Sequence, residues 1–195
     1  SASKILTAAK TPPSYTVRMR TKLLLSCVLF TVLAACAHKP SGNTKVPTIA
    51  PRPEDVASID GLMRAFYDVI NIAPDAPRQW DRDRTLYAPW IRFVGRGRGL
   101  NVYDHQSLVD DTEPMVQRGF REREVHRIVR QYGNIAQIQS AYETLSGPRS
   151  ELSRGVNYLQ LYHDGARWWV ASVIWQSESA EHPIPPELAG AAAAR

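Results

Sequence analysis

Residues 156–176 read VNYLQLYHDGARWWVASVIWQ, and they indicate the class of fold more clearly than any other part of the chain. Two runs rich in β-branched and aromatic residues, Val156–His163 and Arg167–Gln176, flank the pair Asp164-Gly165, and this pattern predicts a β-hairpin. If the pair forms a two-residue turn, Leu161 faces Trp168 on one surface of the hairpin. Because both surfaces carry large apolar side chains, we expect each of them to be at least partly covered.

A second hairpin is predicted just before the first, with strands at Arg121–Gln131 and Asn134–Leu145. Its turn contains Tyr132-Gly133, which leaves two registers open. A two-residue turn would place Glu122 directly opposite Glu143, and like charges in that position destabilise a sheet. A shift by one residue, with Gly133 in a bulge, would set Arg121 against Glu143 instead, and we expect this second register.

The first half of the folded part predicts helices. Ile59, Leu62, Phe66 and Val69 recur at spacings of three and four residues, so one face of a helix is apolar. The predicted elements in this half are helices at Glu54–Ile72, at Gln79–Tyr87 and from the vicinity of Asp104 onward, and a short strand at Trp90–Val94. Helices followed by a four-stranded antiparallel meander indicate an α+β fold.

Several short motifs carry a family resemblance, and they are Phe66–Ile70, Trp80–Arg82, Glu122–Arg127, Tyr132–Ala136, Ser140–Glu143 and Asp164–Val170. In this order, over residues 54–176, the chain resembles the nuclear transport factor 2-like superfamily, close to its SnoaL-like branch. The resemblance implies a cone-shaped curved antiparallel sheet wrapped on a long N-terminal helix, a cystatin-like α+β roll with a pocket at one end. It also implies a homodimer formed through the sheet.

Three titratable residues alternate along the predicted strand at 121–131. Regular alternation would point Glu122, Glu124 and His126 to one surface. Inside the cone, Glu124 and His126 would form a carboxylate–imidazole acid–base pair, because burial and proximity shift pKa values towards neutrality. The alternative is a solvated outer face, since arginines alternate with these residues along the same strand.

Further candidates come from the predicted helices and from the aromatic residues. The resemblance implies that the first helix lines the pocket and that an Asp acts as the base in related isomerases and cyclases, which makes Asp68 a candidate; the alternative is a surface carboxylate. Tyr67, Trp80, Glu122 and Trp169 are the candidate pocket residues for an apolar or ring-shaped ligand. The alternative for the aromatic residues is ordinary core or dimer interface.

Charge and histidine spacing narrow the classes of function. The chain has 24 Lys and Arg against 19 Asp and Glu, but five of the bases and none of the acids lie in residues 1–35. The remaining chain is neutral, which argues against a nucleic-acid partner. His105, His126 and His163 are scattered and show no metal-ligand spacing, so we expect neither a metal nor a cofactor.

The N-terminal region predicts lipid attachment. A basic segment from Met19 is followed by an apolar run over 23–33 and by Leu-Ala-Ala before Cys36. This is the pattern of a secretory signal, and a Cys at the cleavage site resembles a bacterial lipoprotein signal, in which that Cys carries lipid. An Asp directly after the lipidated Cys resembles the inner-membrane retention signal of enterobacterial lipoproteins. No Asp follows Cys36, so in a Gram-negative host we expect the outer membrane, with the protein facing the periplasm.

The domain organisation follows from these boundaries. The predicted parts are an upstream extension at 1–18, a signal peptide at 19–35, a polar Pro-rich tether at 36–53, the α+β domain at 54–178 and a disordered tail at 179–195. We expect a lipid-anchored envelope protein whose domain binds an unknown small molecule. The alternative is an enzyme of the isomerase, cyclase or hydratase type that uses a carboxylate–histidine pair.

Overall fold

The computed structural model describes residues 46–73, 76–96, 99–147, 149 and 151–190. Its helices are α1 (Pro53–Val56), α2 (Ile59–Asp68), α3 (Trp80–Arg84) and α4 (His105–Val116). Its strands are β1 (Tyr87–Arg96), β2 (Leu100–Tyr103), β3 (Phe120–Tyr132), β4 (Ile135–Ser146), β5 (Glu151–His163) and β6 (Trp168–Ser177). They form one sheet in the order β2-β1-β6-β5-β4-β3, in which only β1 and β6 run parallel. The predicted α+β roll is confirmed.

The predicted first helix is two helices. The break falls at Ala57-Ser58, where the extended backbone of Ser58 lets its side chain accept a hydrogen bond from the amide of Gly61 at 3.0 Å and so begin α2. The apolar face of α2 packs on the inner face of the sheet, and Leu62 and Met63 are completely buried there. Burial of this face anchors the cone on α2.

The β3–β4 hairpin has neither of the two predicted registers. Its turn is Gly133-Asn134, with Tyr132 opposite Ile135, and Gly133 supplies the positive φ of 54° that the turn requires. The pairing then shifts between Glu124 and His126, because one extra residue bulges out of β3.

The β5–β6 hairpin is confirmed, but its predicted two-residue turn is wrong. His163 faces Trp168, so four residues form the connection. The cause is the side chain of Asp164, whose Oδ1 accepts hydrogen bonds from the amides of Ala166 and Arg167 at 2.8 and 2.9 Å. These bonds hold a wider loop than a tight hairpin turn.

Segments at both ends of the described chain pack on the domain. Val46, within the predicted tether, is buried against Ile72 and Trp80. Within the predicted tail, Ile184 and Leu188 are buried on the outer face of the sheet. The predicted extension, signal peptide and lipidation site lie outside the described residues. None of the described helices has the length and apolar character needed to cross a membrane.

Candidate functional site

The side chain of Asn71 and the backbone of Ile72 hold the start of β3 against the end of α2. Asn71, just after the helix, donates from Nδ2 to the carbonyl oxygens of Tyr67 and Glu122, both at 2.6 Å. Its Oδ1 accepts from the amide of Glu122 at 2.8 Å. The backbone amide of Ile72 adds a bond to the carbonyl of Phe120 at 3.3 Å. Asn71 therefore fixes Glu122 relative to the helix.

Polar side chains meet inside the cone at this level, and we call them the interior polar cluster: Tyr67, Glu122, Glu124, Ser140 and Asn157. The Tyr67 hydroxyl lies 2.7 Å from Ser140 Oγ and accepts from Asn157 Nδ2 at 3.2 Å. Ser140 donates to Glu124 Oε1 at 2.6 Å, and Asn157 reaches Glu122 Oε1 at 3.5 Å. Helix α2 and strands β3, β4 and β5 each contribute, so the cluster exists only in the folded cone.

Burial controls the ionisation of this cluster. Desolvation of its carboxyl raises the pKa of Glu122 to about 7, although the amide of Asn157 acts in the opposite direction. Burial, followed by the charge of Glu122, raises the pKa of Tyr67 above its ordinary value. Tyr67 therefore stays a neutral phenol, while Glu122 exchanges its proton near neutral pH.

The second carboxylate of the cluster is paired with a cation. Glu124 forms an ion pair with Arg127, which also contacts Asp60 on α2. This pairing is possible because the bulge at Val125 puts residues three apart on the same face of β3. The two carboxylates therefore differ, since Glu122 has only the neutral Asn157 as its side-chain hydrogen-bond partner in the described structure.

The same bulge removes His126 from the site. His126 pairs with Ala141, whose side chain packs on the outer face of the sheet against Leu188. His126 is exposed there, and its Cβ lies near Gly190. The prediction that Glu122, Glu124 and His126 share one surface is wrong for the histidine, because strict alternation fails at a bulge. The expected carboxylate–imidazole pair is not formed.

The other predicted residues are spread over the domain. Asp68 is exposed and paired with Arg82. Trp80 is buried in a separate apolar cluster, with its Nε1 donating to Glu113 Oε2 at 2.6 Å. Trp169 stacks with Tyr162 on the outer face. It lines a cavity of about 440 Å³ whose wall does not include Tyr67, Glu122 or Glu124. Of the predicted residues, the structure brings together Tyr67, Glu122 and Glu124.

Sequence reasoning missed Asn71, Ser140 and Asn157. Ser140 and Asn157 are polar residues at inward positions of strands whose neighbouring inward positions are apolar, and both are completely or almost completely buried. That interruption of an apolar pattern was visible in the sequence and points to a buried polar network. Asn71 shows no comparable signal, because its contacts depend on the tertiary arrangement.

A cavity of about 480 Å³ adjoins this end of the cone, and its lining includes Asn71 and Glu122. The rest of its wall is both apolar and charged, and consists of Arg121, Arg123, Glu143, Leu145 and Leu152. The described residues contain no group of three or more His, Cys, Asp or Glu side chains arranged to hold a metal ion. The site therefore provides a carboxyl group that titrates near neutral pH, beside amide and hydroxyl groups.

No protein-family model and no curated protein sequence matches this chain. Solved structures do match. The structure of LinA gives a TM-score of 0.52 at 13% identity, covering 67% of this chain and 92% of that one. An uncharacterised cystatin-like protein from Caulobacter vibrioides gives 0.51 at 10% identity, covering 64% and 90%. A cystatin-like protein of unknown function from Nostoc punctiforme gives 0.50 at 14% identity, covering 63% and 90%. These similarities establish the cystatin-like fold.

Proposed function

We propose that this protein is a lipid-anchored cell-envelope protein whose cone-shaped domain binds a small molecule beside Glu122. The observation that carries the proposal is a desolvated carboxyl with a pKa of about 7 in the interior polar cluster, in a residue that also lines a cavity of about 480 Å³. Burying a titratable group costs stability. Groups whose pKa is strongly shifted by burial are therefore found more often at functional sites than elsewhere.

The side chains around Glu122 favour a neutral ligand with a carbonyl or hydroxyl group. When protonated, Glu122 donates a hydrogen bond to a ligand oxygen, and when ionised it accepts one from a hydroxyl. An anionic ligand is disfavoured next to the ionised form of Glu122, because the two like charges would repel each other.

Native mass spectrometry of the purified full chain tests ligand binding. We expect an added mass under gentle conditions that disappears on denaturation. Glu122→Leu should lose this mass, whereas Glu151→Leu, an exposed glutamate in β5, should keep it. A bare protein mass throughout, or equal occupancy in the two variants, would contradict binding at Glu122.

One observation also favours a second candidate, an isomerase-type proton transfer. A carboxyl whose pKa lies near the working pH is suited to general acid–base catalysis, and Glu122 replaces the predicted histidine pair in this role. A β,γ-unsaturated cyclic ketone incubated with the chain in D₂O should gain deuterium, as followed by proton NMR. Equal incorporation with wild type and Glu122→Gln would exclude catalysis by this carboxyl.

Lipidation at Cys36 and placement in the outer membrane, facing the periplasm, form part of the proposal and rest on the sequence pattern. The test is membrane fractionation of cells that express the full chain or Cys36→Ser, with Cys27→Ser as the control. The Cys36 variant should move to the soluble fraction while the Cys27 variant stays in the membrane. Membrane retention of the Cys36 variant would refute the anchor.

Dimerisation through the outer face of the sheet is likewise proposed. Trp90, Tyr158 and Ile174 are 59%, 40% and 50% exposed there, on three strands that are neighbours in the sheet. Their apolar area offers a contact for a second copy. Light scattering after size exclusion should give twice the chain mass for wild type and the single mass for Ile174→Lys. A single mass for wild type would exclude the dimer.

A further inference from the structure

Apolar and aromatic side chains form a row across the outer face of the sheet, at the end where the hairpin turns lie. Tyr132 pairs with Ile135, and Ile135 pairs with Tyr162. Tyr162 pairs in turn with Trp169, so the row crosses the strands β3, β4, β5 and β6. Trp90 of β1 stacks on Tyr162, with the ring centroids 5.7 Å apart. We call these five residues the aromatic row.

The aromatic row faces away from the core. Leu161 is buried in the core, so alternation along β5 turns its neighbour Tyr162 to the outer face. Tyr132, Ile135 and Trp90 are 85%, 60% and 59% exposed. Single exposed apolar residues are ordinary, whereas a contiguous set of them marks a contact surface.

Two arginines lie beside the aromatic row on the same face. Arg130 precedes Tyr132 by two residues on β3, and Arg92 follows Trp90 by two residues on β1. Both arginines are exposed, and neither forms an ion pair with another residue that the structure describes. Strand pairing connects them through uncharged residues of the same face: Gln137, Gln160 and Ser172.

The loop between β5 and β6 adds a third cation and one acid. Arg167 stands over the Trp169 ring, with its Cζ 3.6 Å from the ring centroid. Asp164 accepts from Trp169 Nε1 at 2.7 Å and from two backbone amides, so its oxygens already have donors. Three arginines against one carboxylate leave this end of the face positively charged, and such a charge complements an anionic surface.

The N-terminal part of the described chain reaches the domain at the same end. Ile49 lines the cavity of about 440 Å³ together with Arg167 and Trp169. The wall of this cavity also contains Arg84, which donates to the carbonyl of Val46 at 3.2 Å. Val46 and Ile49 therefore lie close to the side of the domain that carries the aromatic row.

The length of chain before Val46 limits how far this end can lie from the proposed lipid anchor. Nine residues, 37–45, separate Cys36 from Val46. Even when fully extended, this connection spans at most about 35 Å. A lipid on Cys36 would hold Val46 within that distance of the bilayer. Because a short tether keeps the effective concentration high, a weak contact between the domain and the bilayer is enough to orient the domain.

We propose that the aromatic row docks on the surface of the bilayer that holds the lipid anchor. Tyr132, Ile135 and Trp90 lie at the level of the headgroups, where amphipathic aromatic side chains are favoured, and the exposed arginines contact lipid phosphates. The occupant of this surface is therefore a bilayer that contains anionic phospholipid. The inference rests on the proposed anchor at Cys36.

Docking in this way orients the proposed ligand site. Glu122 precedes Tyr132 by ten residues on β3, which corresponds to about 30 Å along the strand. The cavity beside Glu122 would therefore open away from the bilayer, on the side from which a dissolved ligand arrives. Trp90 also belongs to the proposed dimer contact, so variants that test docking are best placed at Tyr132 and Ile135.

Quenching of tryptophan emission by lipids measures the contact. The full chain, extracted from bacterial membranes, is reconstituted into vesicles whose lipids carry a nitroxide on the headgroup. Trp90 is the only exposed tryptophan of the five, all of which the structure describes. We expect quenching in phosphatidylcholine vesicles and stronger quenching when half of the lipid is replaced by phosphatidylglycerol. Trp90→Phe should remove most of the quenching.

Two matched pairs of variants locate the contact. Tyr132→Ser combined with Ile135→Ser should reduce the quenching at least about twofold. Leu100→Ser combined with Val102→Ser, at equally exposed apolar positions of β2, should leave it unchanged. Arg130→Gln should remove about half of the increase caused by phosphatidylglycerol, because one of the arginines beside the row is lost. Arg118→Gln, an exposed arginine before β3, should keep the whole increase.

Docking and anchoring fail separately in these experiments. A wild-type chain that sediments with the vesicles but is not quenched, or equal quenching in the two double variants, would overturn the docking. If the wild type is not quenched and the Tyr132 and Ile135 double variant converts a dimer to a monomer in light scattering, a second copy covers the row instead. Membrane retention of Cys36→Ser refutes the anchor independently of the quenching.

Discussion

Replacing Glu122 by Gln should make the domain more stable at alkaline pH. Burial raises the pKa of Glu122 from its ordinary value of 4.5 to about 7 in the folded state. The folded state therefore binds this proton more tightly than the unfolded state does. The resulting stabilisation is fully present below pH 4.5 and is lost as the pH rises through 7.

The size of the effect follows from the two pKa values. Their difference corresponds to about 3 kcal/mol of unfolding free energy between acidic and alkaline conditions. Because the residue is partly exposed to solvent, we expect about 2 kcal/mol of this to be observed. Gln keeps the shape of the side chain and its bond to Asn157 but has no proton to lose.

Urea unfolding followed by tryptophan fluorescence, at several pH values from 4.5 to about 8, measures this difference. The variant and wild type should differ little at the acidic end, and the variant should be the more stable at the alkaline end. Glu151→Gln, at an exposed position, should follow wild type throughout. A variant whose stability parallels that of wild type at every pH would refute the desolvation argument.

The remaining predictions concern packing. Gly155→Ala should destabilise by about 2 kcal/mol, because a Cβ there would lie 2.3 Å from Tyr142 Oη; an unchanged melting temperature would contradict the close approach. Ser140→Ala should cost about 2 kcal/mol by removing the hydroxyl that donates to Glu124 Oε1 and leaving that oxygen without this bond, and chemical unfolding would show it. Leu188→Ala should cost about 2 kcal/mol by uncovering the outer face, whereas a loss near zero would mean that this segment does not pack there in solution.

The sequence predicted the fold well where apolar periodicity was strong. The four long strands and the helix starting after Asp104 lie close to their predicted positions. The short strand β2 and the parallel pairing of β1 with β6 were not predicted. The reason is that Leu100–Tyr103 has only 4 residues, too few for a recognisable period, while a parallel pairing depends on distant parts of the chain.

The candidate site was predicted only in part, because the pairing register of the strands could not be read from the sequence. Tyr67 was identified because the family resemblance implied that the first helix lines the pocket, and Glu122 because alternation along β3 allowed it to face the interior. Ser140 and Asn157 were missed because they join Tyr67 across 73 and 90 residues of chain, as only the folded sheet shows. His126 was misplaced by a single extra residue.

That extra residue, Val125, has a consequence for comparing sequences. It acts as a one-residue insertion inside a strand, since Glu124 and His126 pair with the adjacent Tyr142 and Ala141. Matching β3 to an unbulged strand therefore requires a gap at this position. Without the gap, exposed His126 would be aligned with interior positions of the relative, and interior Arg127 with exposed ones.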